Sequence, residues 1–154
     1  IAGHKILLAD VAGAPINDPA TDLLVIDTPT MVEAFPAAMT SLIDTADFIL
    51  MPTRAAAEDI LSVNAAMGML AKRRRPAAFV LSVVKPRQHE TEQARLMLAG
   101  VGEVAPPAIP DLAEIARSFM GGQAVADLPA AKSAEVFAAL WRFTAAKLGF
   151  SAHG

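Results

Sequence analysis

The 154-residue chain contains no cysteine. Disulfides, thiolate nucleophiles and cysteine-built metal centres are therefore excluded, and the composition agrees with a reducing, cytosolic compartment. Charge is scarce too: 19% of residues are Asp, Glu, Lys or Arg, against 54% hydrophobic. That balance excludes a disordered chain. The net charge of −3 gives no global attraction to nucleic acid or acidic lipid, which leaves only local basic patches for such roles. No apolar run reaches the roughly 18 residues of a membrane helix, and no signal peptide is visible. The three histidines, His4, His89 and His153, lack the spacing of metal ligands. Neither a nucleophile elbow nor a Ser-His-Asp order is present, and the phosphate-binding pattern G-x-x-x-x-G-K-[ST] is absent as well. The length fits one domain with a sizeable core, 1–154, without internal repeats or linkers.

What the chain does have is a series of short apolar runs, each stopped by a polar residue or a proline. "KILLA" (5–9) stops at Asp10, "LLVI" (23–26) at Asp27, "FILM" (48–51) at Pro52 and "AFVLSVV" (78–84) at Lys85. Unalternated runs of this length suit strands buried on both faces, as in parallel sheets. Strands are expected near 5–10, 22–27, 47–52 and 78–84. Helical spacing fills the intervals: 31–43, 56–74 with Ile60, Leu61, Val63, Met67 and Leu70 on one side, 91–98, 110–120 closed by Gly121-Gly122, and 132–148 with a broad apolar face. Met67 and Met69 read as core filler. Alternation of this kind predicts an α/β fold, a doubly wound, mostly parallel sheet with helices on both faces.

Ligands of such sheets bind beyond the carboxyl ends of the strands. Asp10, Asp27, Thr28, Thr53, Lys85 and the "APPAIP" loop (105–110) with Asp111 all fall at such ends. An acid that closes an apolar strand is how many nucleotide hydrolases hold Mg²⁺ through water. The same Asp-Thr pair also suits a helix N-cap. The basic run "KRRR" (72–75) matches the dipole at a helix C-terminus, and it also offers a nonspecific phosphate patch.

Five segments, in order, resemble the ParA/MinD family of deviant-Walker P-loop ATPases. "GHKILLAD" (3–10) is similar to the family's second strand, and "DLLVIDTPT" (22–30) to its Walker B strand. "ADFILMPTRAAAEDI" (46–60), "FVLSVVKPR" (79–87) and "AIPDLAEIARSFMGGQAVADLPAAKSAEVFAALW" (108–141) resemble the strands, loops and helix that follow. The resemblance covers nearly the whole chain. It implies a cytoplasmic bacterial ATPase that partitions or positions DNA or a large cargo, pairing as a homodimer on ATP and answering to an adaptor that stimulates hydrolysis. It implies Asp10 as a catalytic acid, Asp27 as the Mg²⁺ residue acting through water, and Thr28, Pro29, Ser82, Pro107, Ile109 and Asp111 as nucleotide-binding positions. Nonspecific DNA binding would draw on Arg87, Arg95, Arg117 and Lys132.

The sequence also departs from the family. The phosphate loop would precede the strand matched by 5–10, and the chain begins at Ile1 without Met, so the first strand is expected to be omitted. A vacant position in the sheet, beside the strand at 22–27, follows from that. Ala12 stands where a second acid is expected, only about a dozen residues separate Asp10 from Asp22, and Ser82 replaces the usual Asn. Residues absent near 12–20 would account for the first two. A regulatory or scaffold protein that keeps the fold without hydrolysis is the alternative that Ala12 supports. A carboxylate-activating ligase on the same fold is a third reading, against which "AAKSAEVFAALW" (130–141) argues.

Overall fold

The computed structural model describes residues 23–28, 36–85, 89–128 and 131–150. The chain divides into two compact units, Ile1–Ala46 and Asp47–Gly154. In the first unit, helix α1 (Pro36–Thr45) begins on a proline, whose fixed φ and missing N–H suit a first helical turn. It carries the buried Met39, Leu42 and Ile43. Residues 23–28 form neither strand nor helix, and Val25 is 80% exposed. The expectation of a buried strand at 22–27 is therefore corrected over its described part. An apolar run becomes a strand only when a neighbour takes its backbone hydrogen bonds, and no described strand pairs with this one. The expected strand at 5–10 lies outside the described residues.

The second unit is built on a three-stranded parallel sheet in the order β1-β2-β3. Its strands are β1 (Ile49–Thr53), β2 (Ala77–Leu81) and β3 (Glu103–Val104). β1 and β2 run in register from Ile49↔Ala77 to Thr53↔Leu81, and β2 meets β3 at Ala78↔Glu103 and Phe79↔Val104. Ala78, Phe79, Val80 and Leu81 are fully buried, as expected for a central strand covered on both sides. Ile49 N–H donates to Pro76 O and Thr53 O accepts from Ser82 N–H, so by strand alternation Leu50 and Pro52 turn their backbone groups to the other side. Pro52 thus costs the ladder no bond, which is where an edge strand tolerates proline.

Parallel neighbours need crossover connections. α2 (Ala57–Lys72) joins β1 to β2, and α3 (His89–Ala99) precedes β3. α2 packs on α3 and on β1, and α3 packs on β2 and β3. On α2, Ile60, Met67 and Leu70 are buried on one stripe, and Met67 fills the space that a side chain at Gly102 would need. Leu61 is 68% exposed, contrary to expectation, because it lies about 100° around the helix from Ile60.

The chain closes with α4 (Ala113–Met120), a 3₁₀ turn (Val125–Asp127) and α5 (Ala134–Lys147). α5 ties down the amino ends of the two outer strands. Phe143 meets Phe48 edge-on at 6.1 Å between ring centroids, and Lys147 Nζ lies 2.6 Å from Glu103 Oε1. The broad apolar face expected of this helix is only half covered: Val136, Phe137, Leu140, Phe143 and Leu148 are half-buried, and Trp141 is 49% exposed.

α2, α4 and α5 all end in the same hydrogen-bond pair. Arg75 N–H donates to Leu70 O at 3.1 Å, Gln123 N–H to Ser118 O at 3.0 Å and Phe150 N–H to Ala145 O at 2.9 Å. Each closes a Schellman turn, which needs a left-handed residue one position earlier. Gly122 (φ 64°) and Gly149 (φ 77°) meet that need cheaply, whereas α2 uses Arg74 (φ 54°). A left-handed side-chain-bearing residue costs about 1–2 kcal/mol, and a new glycine returns about 0.4–1 kcal/mol to the unfolded chain. Arg74→Gly should therefore stabilise the protein by about 0.5–1 kcal/mol, read from the midpoint of urea unfolding.

Candidate site at the carboxyl edge of the sheet

The carboxyl ends of β1 and β2 meet the loop after β3. Ser82 N–H donates to Thr53 O at 2.8 Å, and Ser82 Oγ donates to the same carbonyl at 3.3 Å. Ile109 N–H donates to Leu81 O at 2.8 Å. Of the positions expected to bind nucleotide, the structure therefore brings Ser82, Ile109 and Asp111 to one edge, with Pro107 on the same loop. Between Ala105 and Ile109 the chain bows away from β2, and Pro106 and Pro107 have no N–H to leave unpaired there. Arg95 Nη1 donates to Ala105 O at 2.9 Å and so anchors the start of that loop.

β2 does not leave the sheet smoothly. Residues whose backbone faces β3 should alternate as Phe79, Leu81, Val83. Phe79 O accepts from Ala105 N–H and Leu81 O from Ile109 N–H, each at 2.8 Å, but the next residue to pair is Val84. Its N–H donates to Ile109 O at 3.1 Å, and its carbonyl accepts from Asp111 N–H at 2.9 Å, opposite Pro110. Val83 is an extra residue, a bulge, at φ 54° and 49% exposed. A β-branched residue in the left-handed region is an uncommon conformation that the surroundings must hold in place. The sequence carries no sign of it, since glycine or asparagine would mark such a position.

The remaining expected residues lie elsewhere. Asp27 and Thr28 are exposed in the first unit. Asp10, Pro29 and Arg87 lie outside the described residues. Among the described residues no three His, Asp or Glu side chains cluster around a possible metal position. An exposed carboxylate such as Asp27 fits a hydrated Mg²⁺ held through water, a cation that keeps most of its own shell. Among the cations expected to bind DNA, Arg117 Nε reaches back to Ala113 O at 3.4 Å on α4, and Arg95 is occupied by Ala105.

Lys132 sits near a carboxylate that the sequence did not single out. Glu114 Oε1 accepts from Ser133 N–H at 2.7 Å and from Ser133 Oγ at 2.6 Å, at the amino end of α5. Ser133 is fully buried. Glu114 thus supplies from α4 the cap that α5 lacks from its own Ser133 side chain. The Ser133 hydroxyl, then its N–H, hold the Glu114 carboxyl below the usual glutamate range, with partial burial opposing and Lys132 assisting through its backbone and charge.

No protein-family model matches the chain, and no curated protein matches it.

The sign of the Glu114 effect follows from its lowered pKa. The stabilisation is complete above the ordinary glutamate value of about 4.3 and disappears as pH falls through the lowered one. Glu114→Gln should be less stable than the parent at pH 7, and the two unfolding curves should converge in acid. Circular dichroism at a series of pH values measures that convergence.

Proposed function

We propose that the chain belongs to a ParA-type ATPase, a nucleotide-dependent switch that positions DNA or another large cargo. The observation that supports this reading most is the meeting of Ser82, Ile109 and Asp111 at the carboxyl edge of a parallel sheet. General experience with open α/β sheets puts ligands at that edge. The order of five sequence segments supports it independently. The finer fold, a doubly wound P-loop NTPase sheet, belongs to the same proposal.

In this reading ATP supplies the transferable phosphoryl group and Mg²⁺ the neutralising charge. Asp27 would hold a hydrated Mg²⁺ through water, and Thr28 and Pro29 would lie in the segment that senses the third phosphate. Asp10 serves as the catalytic acid. Ser82 and the loop with Pro107, Ile109 and Asp111 border the base. Two copies pair when ATP is bound, an adaptor promotes hydrolysis, and the cations Arg87, Arg95, Arg117 and Lys132 contact the DNA backbone without reading sequence.

The test uses the full-length gene product. Asp27→Ala should abolish ATP hydrolysis while thermal unfolding stays unchanged. A capping aspartate would behave oppositely, costing about 1 kcal/mol of stability and sparing turnover. Full turnover with a lowered melting temperature would overturn the assignment of Asp27. Absence of ATP binding in the unmodified protein would favour the non-hydrolysing scaffold instead.

A further inference from the structure

The bulge at Val83 has a regular alternative close at hand. If Val83 became extended, its N–H would donate to Ile109 O and its carbonyl would accept from Asp111 N–H, the two bonds that Val84 now makes. The number of hydrogen bonds would not change. The left-handed backbone at Val83 would be relieved. The residue exchanged opposite Pro110 would again be a valine, so the side chain entering that position would match the one leaving. Val83's own N–H and carbonyl make no hydrogen bond among the described residues, so no described backbone bond of Val83 has to break in the change.

We propose that the carboxyl end of β2 is a one-residue register switch, in which Val83 and Val84 exchange places opposite Pro110. The pivot is fixed on both sides. Ser82 N–H keeps its bond to Thr53 O, and Leu81 O keeps its bond from Ile109 N–H, in either register. Beyond the pivot the chain advances by one residue, about 3.3 Å along the strand, and successive side chains turn to the opposite face. Lys85 is thereby presented in two different positions at the edge of the sheet. A ligand that contacts Lys85 or Val83 in one register shifts the population toward it by its difference in affinity for the two. The switch rests on the backbone pattern alone and stands or falls independently of the ATPase reading.

The experiment is amide NMR on the unmodified protein and on Val83→Gly. In the unmodified protein, relaxation dispersion is expected at Val83, Val84 and Lys85. The Val84 amide should exchange with water faster than those of Ser82, Ile109 and Asp111, which remain bonded in both registers. Glycine removes the left-handed penalty and holds the bulged register. Val84 protection, taken as a ratio to Ile109 so that global stability cancels, should then rise about 5- to 30-fold, the equilibrium equivalent of that penalty. A flat dispersion profile, with Val84 as protected as Ile109, would overturn the switch. So would a Val84-to-Ile109 ratio unchanged in Val83→Gly. Should that variant fail to fold, the dispersion measurement on the unmodified protein decides alone.

Discussion

The second unit depends on the backbone ladder of β2. Ala78 to Leu81 are shut away from water, so each peptide group there must find its partner within the protein. β1 supplies partners on one side, and β3 with the loop to Ile109 supplies them on the other. A buried peptide group left unpaired costs about 1–3 kcal/mol, so losing either neighbour would be felt several times over. The parallel direction of both pairings then requires α2 and α3 as connections. These helices in turn cover the apolar side chains of the strands they join. The carboxyl edge inherits its geometry from the same ladder, because Ser82 and Ile109 are simply the next residues to use it.

Much of this frame was legible in the sequence. The runs "FILM" and "AFVL" announced β1 and β2, and helical spacing placed the five described helices to within a few residues at most ends. The failures have physical causes. "LLVI" has the composition of a buried strand, but composition does not supply the neighbour that a strand requires, and residues 23–28 have no described one. β3 is two residues long and shows no period to detect. The run to Val84 reads as one strand, yet on the side facing the loop after β3 the pairing breaks after Leu81 and resumes one residue late. A valine in the left-handed region cannot be anticipated from valine's own preferences.

The candidate site was legible in a different way. Residues at strand ends could be named from the stops of the apolar runs, and Ser82, Ile109 and Asp111 do converge. The roles of Arg95 and Glu114 were hidden, because both act across tertiary distance on backbone groups. Arg95 holds a carbonyl ten residues away, and Glu114 caps a helix that starts twenty residues later. Neither relation leaves a local pattern. Arg95 thus ties down the loop at the sheet's edge, and Glu114 joins the last two helices.

Pro52 gives the outer margin of β1 an asymmetry in its hydrogen-bonding capacity. Among the described residues nothing pairs with that margin, where Leu50 offers both a donor and an acceptor but Pro52 an acceptor alone. A chance encounter with another exposed strand would find one docking point and then a gap, so indiscriminate edge pairing is poorly rewarded. A strand that brings its own donor opposite the Pro52 carbonyl, and asks for none in return, would not meet that gap. The proline thus acts as a filter on what can extend the sheet, guarding against aggregation while leaving the margin open to a matched neighbour.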